Sequence, residues 1–213
     1  MAIPSARPFL EKNPIVPVVV LDREEDALPT AKALVAGGIT SAEVTFRTPV
    51  AAQAIAQMAQ VEGITVGAGT VVTADQANRA IDAGAQFLVS PGFSTEVANV
   101  ASEREVAFLP GIANPTDIMA ALAFDLDVMK FFPAVPLGGL PLVKAMAAPF
   151  PQLKFMPTGG IGPDNIREWL AIDVIASVGG SWMVTRQMVA EGQFDEITRL
   201  SAEAMEIVGQ VRS

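Results

Sequence analysis

Four groups of residues in this 213-residue chain are suited to chemistry. The first is Lys130, alone in the apolar, β-prone run Val128-Met129-Lys130-Phe131-Phe132-Pro133-Ala134. Burying an unpaired ammonium is costly, and desolvation favours the neutral amine, a nucleophile toward carbonyl carbon. The same run also fits an edge strand whose lysine faces water. The second group is Glu43, Thr45 and Arg47 in Glu43-Val44-Thr45-Phe46-Arg47-Thr48. In a strand these three point to one side, with Glu43 deep and Arg47 ~13 Å away at the rim. The alternative is an ion pair at a loop. The third group is two glycine pairs, in Pro157-Thr158-Gly159-Gly160-Ile161 and Val178-Gly179-Gly180-Ser181-Trp182. Backbone N–H groups in such loops can cradle an anion, and Ser181 can add a hydroxyl. The fourth, Gly67-Ala68-Gly69-Thr70 and Ser90-Pro91-Gly92, fits either close backbone approach by a ligand or tight turns.

What the chain lacks narrows the chemistry. It has no Cys and no His, and no Tyr either. Thiolate nucleophiles, disulfides, and Cys or His metal ligands are therefore excluded, leaving carboxylates, lysines and water to move protons. With 14 basic against 23 acidic residues the net charge is −9. An acidic chain without a basic run is not built for nucleic acid, so an anionic ligand must be met by a local positive field. Mean hydropathy is high, at +0.41. No apolar run approaches the ~20 residues needed to span a bilayer, so no membrane partner is expected. Ile15–Leu21 is short, broken by Pro17 and followed by charges, which does not fit a signal peptide. A cytoplasmic protein is the expectation.

The elements that must position these groups alternate along the chain. After a short helix within 6–13, strands are expected at 15–20, 42–46, 64–69, 87–90, 107–111, around Lys130, at 154–157 and at 174–178. Helices are expected between them, opening at Asp22, Pro49, Thr73, Ser94 or Thr95, Asn114-Pro115, Leu140 and Pro163-Asp164. A final amphipathic helix runs from Phe194 to Val211, with Ile197, Leu200, Ala204, Ile207 and Val208 at helical spacing. No linker interrupts the series. Eight βα units over residues 1–213 imply an α/β fold: one single-domain (β/α)8 TIM barrel with a short N-terminal helix. An open doubly wound sheet is the alternative, weakened by the absence of Gly-x-Gly-x-x-Gly after the first strand. A barrel strand has no free edge, and barrel sites lie at the C-terminal strand ends, where all four groups fall. Of the five lysines only Lys130 is mid-strand among large apolar residues.

Six motifs, Glu43-Val-Thr-Phe-Arg-Thr48, Gly67-Ala-Gly-Thr70, Ser90-Pro-Gly92, Lys130-Phe-Phe-Pro-Ala134, Pro157-Thr-Gly-Gly160 and Gly179-Gly-Ser-Trp182, in this order and over nearly the whole chain, resemble the 2-keto-3-deoxy-6-phosphogluconate (KDPG) and 4-hydroxy-2-oxoglutarate aldolases. The resemblance implies a (β/α)8 barrel assembled as a homotrimer, and a class I aldolase working through a lysine Schiff base with no metal and no other cofactor. It matches Lys130 to the Schiff-base lysine and Glu43 to the proton-transfer carboxylate. It matches Arg47 and Thr70 to the groups that hold the pyruvyl carboxylate, and Thr158, Gly159, Gly160, Gly180 and Ser181 to the loops that bind substrate and its phosphate. Pro91 and Phe132 fall on pocket-lining positions. Val135 departs from the pattern, since many members carry Glu there.

Two other readings compete. A phosphosugar isomerase or epimerase would need the phosphate loops but not Lys130, and metal-dependent versions normally need His. An inert barrel used as an assembly subunit would have no use for pocket charges, which destabilise unless paired. A chain without His or Cys ligands should not depend on a transition metal for catalysis. EDTA is therefore expected to leave activity intact; activity lost on chelation and restored by a divalent ion would contradict this.

Overall fold

The computed structural model describes residues 2–212. An opening helix, α1 (Arg7–Lys12), precedes β1 (Ile15–Val19), and from there strands and helices alternate. The strands are β2 (Ser41–Thr45), β3 (Thr65–Gly69), β4 (Phe87–Val89), β5 (Ala107–Leu109), β6 (Gly111–Ile112), β7 (Val128–Phe131), β8 (Lys154–Pro157) and β9 (Val178–Gly180). Every named pairing is parallel. Six strands form one sheet in the order β5-β4-β3-β2-β1-β9, and three form another in the order β6-β7-β8. β5 and β6 are consecutive around Pro110. Isolated bridges Phe155↔Ile175 and Thr158↔Gly179 link β8 to the segment carrying β9. The result is an α/β fold on a curled parallel sheet. β1 and β2 are buried along their whole length, as expected of strands covered on both faces.

The helices are α2 (Ala27–Ala36), α3 (Ala51–Met58), α4 (Ala74–Asp82), α5 (Thr95–Glu103), α6 (Pro115–Leu122), α7 (Ala134–Leu137), α8 (Gly139–Ala147), α9 (Ile166–Leu170), α10 (Arg186–Ala190) and α11 (Phe194–Val211). Thr73, Ser94 and Asn114 cap α4, α5 and α6 as their residue types suggest, each accepting from a backbone N–H of the first turn. α11 buries Ile197, Ser201, Ala204 and Val208. Its contact with the end of α2 is close: a Cβ on Gly37 would lie 2.3 Å from Ser201 Cβ.

The core has two parts. The larger lies between sheet and helices and takes Met129 and Phe131 from β7. The smaller gathers Val16, Phe87, Val89, Leu109, Val128 and Met156, from five strands, with Leu10 and Ala6 beside them and Phe9 of α1 packed against the cluster. Phe9 stacks at 4.8 Å on Phe87. The two faces of β7 thus enter different cores, Val128 inward and Met129 outward, and Lys130 shares the face of Val128.

Several boundaries differ from the sequence reading for physical reasons. Pro110 has no N–H, so the expected fifth strand is split into β5 and β6. The expected eighth strand begins late. Ile175 N–H closes a turn on Ile172 O, and it is Val178, Gly179 and Gly180 that pair with β1. Asp22 does not cap a helix. A 3-10 turn at Glu24–Asp26 intervenes, and the Asp22 carboxylate takes a two-pronged bond from Arg186 at 2.5 and 2.6 Å. That bond holds Asp22 below the usual carboxylate range. α9 starts at Ile166 because Asn165 folds the preceding loop, accepting from Gly162 N–H and donating to Gly160 O. The short helices α7 and α10 were not expected. α7 contains Pro136, which disguises it, and α10 is only five residues long, although Thr185 caps it.

The Asn114 cap is the most reinforced of these. Its side chain accepts from Asp117 N–H and donates to the Asp117 carboxylate, which also accepts from Ala113 N–H. Asn114→Ala should lower stability by about 1 kcal/mol in urea unfolding; an unchanged midpoint would remove the cap from the account of α6.

Candidate active site

The site grows from the strand periodicity. β7 has a partner on each side, Gly111↔Lys130 on β6 and Lys130↔Met156 on β8, so it is not an edge. Inward-facing Lys130 therefore cannot reach bulk water, and it is 4% exposed. Lys12, Lys32 and Lys144 are exposed, and partly exposed Lys154 donates to the Asp173 carbonyl at the opposite end of the strand.

The partner of the buried amine comes from the other sheet. Glu43, on β2, is 0% exposed and its carboxylate faces Lys130 Nζ at 3.0 Å (Oε1) and 3.4 Å (Oε2). Two charges removed from water persist only when they satisfy each other. The amine also lies 5.4 Å from the centre of the Phe132 ring, which adds a cation–π contact. The carboxylate is well placed to take a proton from the amine, which frees the nitrogen lone pair to attack a carbonyl carbon.

Around this pair the sequence-derived residues fall into three places. Arg47, Phe132, Thr158, Gly159, Gly160, Gly180 and Ser181 line one cavity of about 300 Å³, together with Val18 and Ile161. Arg47 is exposed, at the rim as its spacing requires, and its Nε donates to Thr70 Oγ1 at 3.2 Å. Thr70 holds this position with φ of 57°, uncommon for a β-branched residue and typical of functional sites. Pro91 is elsewhere. It lines a separate cavity of about 220 Å³ with Val71 and Ser90. Its carbonyl sits over Gly111, where a Cβ would meet it at 2.1 Å.

Thr158 carries a clear sign of a missing partner. Its hydroxyl is buried beside the Gly179 backbone and has no hydrogen bond. A buried orphan hydroxyl at a cavity wall is a place for a ligand atom. Gly159 and Gly160 have φ of 103° and 81°, a conformation in which successive N–H groups can converge on an anion. Their carbonyls are committed to Val135 N–H and Asn165 Nδ2. The helix N-terminus that often completes such an anion site does not join them. α9 and α10 begin at Ile166 and Arg186, several residues past the glycines, so any anion site here is made by loop backbone, Ser181 and Arg47. Among the described residues no Asp or Glu cluster could hold a metal ion.

Val18 was missed in the sequence. The signal was there: Val18 pairs with Glu43, so an inward Glu43 requires an inward Val18. Ile161 carried no such signal.

A buried amine bonded to a carboxylate, beside a cavity lined by an arginine, a glycine loop and the glycine end of β9, is equipment for imine chemistry on an anionic carbonyl compound. The comparisons agree on the class. A family model described as KDPG and KHG aldolase matches residues 7–200. The chain is 48% identical over 201 residues to the 2-dehydro-3-deoxy-phosphogluconate aldolase of Treponema pallidum (strain Nichols), covering 94% of this chain and 96% of that one. It is 43% identical over 203 residues to the KHG/KDPG aldolase of Escherichia coli (strain K12), with 95% of each covered. Its fold superposes with a TM-score of 0.90 on the crystal structure of KDPG aldolase from Legionella pneumophila with pyruvate captured as a covalent carbinolamine intermediate, at 39% identity over 94% of this chain and 98% of that one. The chain belongs to the KDPG and KHG aldolase family, and is an aldolase, a carbon–carbon lyase.

The pairing makes a testable energetic statement. Lys130→Met leaves a buried, uncompensated carboxylate and should cost about 3–5 kcal/mol in urea unfolding at neutral pH. Lys130→Met/Glu43→Leu should cost less than the single change. A double variant that loses the sum of both single losses would show that the two groups are not energetically paired.

Proposed function

We propose that this aldolase reversibly cleaves 2-keto-3-deoxy-6-phosphogluconate to pyruvate and glyceraldehyde 3-phosphate through an imine on Lys130, and that it also cleaves 4-hydroxy-2-oxoglutarate to pyruvate and glyoxylate. The observation that carries the reading is the 3.0 Å contact between two almost fully buried groups, Lys130 Nζ and the Glu43 carboxylate. The names of the Treponema and Escherichia relatives, and the covalent carbinolamine in the Legionella enzyme, support the same chemistry. A phosphosugar isomerase would leave the lysine without a use.

The proposed sequence of steps is built on that contact. Glu43 takes a proton from Nζ, and the neutral amine adds to the C2 ketone to give a carbinolamine. Glu43 returns the proton to the departing hydroxyl, and loss of water leaves a protonated imine. The imine is an electron sink. Glu43, directly or through a water, removes the C4 hydroxyl proton. The C3–C4 bond breaks, the aldehyde leaves, and its bonding pair stays as an enamine. Protonation of C3 and hydrolysis release pyruvate and the free lysine. Arg47, held by Thr70, fixes the carboxylate by charge-assisted hydrogen bonds, and Thr158 offers its unpaired hydroxyl to the substrate. The loops at Gly159, Gly160, Gly180 and Ser181 anchor the distal phosphate, and this remote binding orients the bond that breaks. Phe132 lines the cavity above the amine, and Pro91 shapes the neighbouring loop. No metal and no organic cofactor enters the cycle.

The same reading extends to architecture. We take the two sheets as one closed (β/α)8 barrel in a single domain, with β5 and β6 as one strand interrupted at Pro110 and the Phe155↔Ile175 and Thr158↔Gly179 bridges as the seam. We also take the enzyme to be a homotrimer; Val72, Met119 and Val135 are exposed apolar side chains available to a subunit contact. Among the described residues no helix is long and apolar enough to cross a membrane. An enzyme acting on pyruvate and phosphosugar acids belongs with those metabolites, in the cytoplasm.

Borohydride reduction in the presence of pyruvate should add the reduced pyruvyl mass to the peptide carrying Lys130. No adduct, or an adduct on Lys144, would overturn the imine at Lys130.

A further inference from the structure

The Glu43 carboxylate lies in space that a side chain on β3 would normally fill. β2 and β3 run in register, with Glu43 opposite Gly67 and Thr45 opposite Gly69. The Glu43 side chain extends past its own partner and comes to rest against the Gly69 backbone. A Cβ built on Gly69 would fall 2.1 Å from Glu43 Oε1, 2.4 Å from Cγ and 2.6 Å from Cδ. These are its three nearest atoms, all from one residue. Glu43 is fully buried, so its side chain has no solvent into which to swing.

The backbone does not ask for glycine at this position. Gly69 is not among the glycines with positive φ, unlike Gly159 and Gly160. It ends a regular strand in which any L-residue could stand. Gly67, two residues earlier on the same face, shows the same arrangement one layer deeper, where the Phe87 ring lies 2.3 Å from the site of a Cβ. One missing side chain makes room for the Phe87 ring in the smaller apolar core, and the other for the carboxylate.

We propose that Gly69 is a positioning residue of the aldolase reaction: the absence of its side chain holds the Glu43 carboxylate within hydrogen-bond reach of Lys130. This rests on the proton-transfer role given to Glu43 above. Any β-carbon at position 69 displaces the carboxylate from Nζ and slows the steps that need it, while Lys130, Arg47 and the glycine loops stay in place.

The test is a cycle of Gly69→Ala, Glu43→Ala and the double variant, each read for thermal unfolding, cleavage kcat and KM, and solvent deuterium exchange at C3 of pyruvate. Gly69→Ala should lower kcat and C3 exchange about 100-fold or more, the scale of a lost general acid–base group, with KM changed only a few-fold. In the Glu43→Ala background, where the space is vacant, adding Gly69→Ala should change neither rate by more than about twofold, and should not lower the melting temperature. If Gly69→Ala fails to fold but the double variant folds, the clash is with Glu43 and the proposal stands. If the double variant also fails to fold, or loses a further tenfold in rate, Gly69 acts through something else and the proposal is overturned. Gly69→Ala with near-normal exchange, beside a Glu43→Ala variant without exchange, would also overturn it. Normal exchange in Glu43→Ala would overturn it by a different route, through the proton-transfer role itself.

Discussion

The hydrogen bond between Lys130 and Glu43 is the interaction on which the rest of the structure depends. It joins the three-stranded sheet to the six-stranded one across the interior, where two unpaired charges would be intolerable. Its surroundings explain how it is kept dry. Val128, Phe87 and Met156 lie in the apolar layer on the same interior side, closed by Leu10 and Phe9 of the first helix. Phe132 covers the amine, and the carboxylate occupies space left vacant by Gly69. The curl of the sheet is what brings two residues 87 positions apart into contact.

The pair also lies at the inner end of the polar surface of the cavity. Beneath Phe132, which lines it, is a buried proton donor–acceptor couple. Farther out are the orphan Thr158 hydroxyl and Arg47, which Thr70 braces from a left-handed conformation. At the outer wall are the Gly159-Gly160 loop, whose positive φ values suit anion binding, and Gly180 and Ser181 at the end of β9. Reactivity thus sits where desolvation is strongest, and ionic recognition sits where charge costs least. An elongated substrate with a ketone near one end and an anion at the other matches this gradient.

Much of this was legible in the sequence because strand periodicity is strict. The parity of Glu43, Thr45 and Arg47 placed two of them correctly as deep and rim. The isolation of Lys130 among Val, Met and Phe separated it from four solvent-accessible lysines. Cap residues gave three helix starts for local reasons, since a side-chain oxygen meets an N–H within three residues. What was not legible depended on contacts distant in sequence. Asp22 looks like a cap, but Arg186, 164 positions away, claims it. Pro91 looked like cavity lining and faces a different cleft, because its loop folds over Gly111. The helices that follow the glycine pairs start several residues later, since Asn165 and Thr185 set them and not the glycines. In the sequence Gly69 fits either close approach by a ligand or a tight turn, and only the Glu43 side chain gives it a specific reason.

The central claim is that the C2 carbonyl carbon becomes bonded to the Lys130 nitrogen during turnover, which requires its oxygen to leave as water. Cleavage of substrate carrying oxygen-18 at C2, quenched before spontaneous exchange, tests this directly. The account predicts that the pyruvate released carries solvent oxygen at C2 in every turnover. Retention of the label in the pyruvate would contradict it, because the carbonyl oxygen would then never have left the carbon.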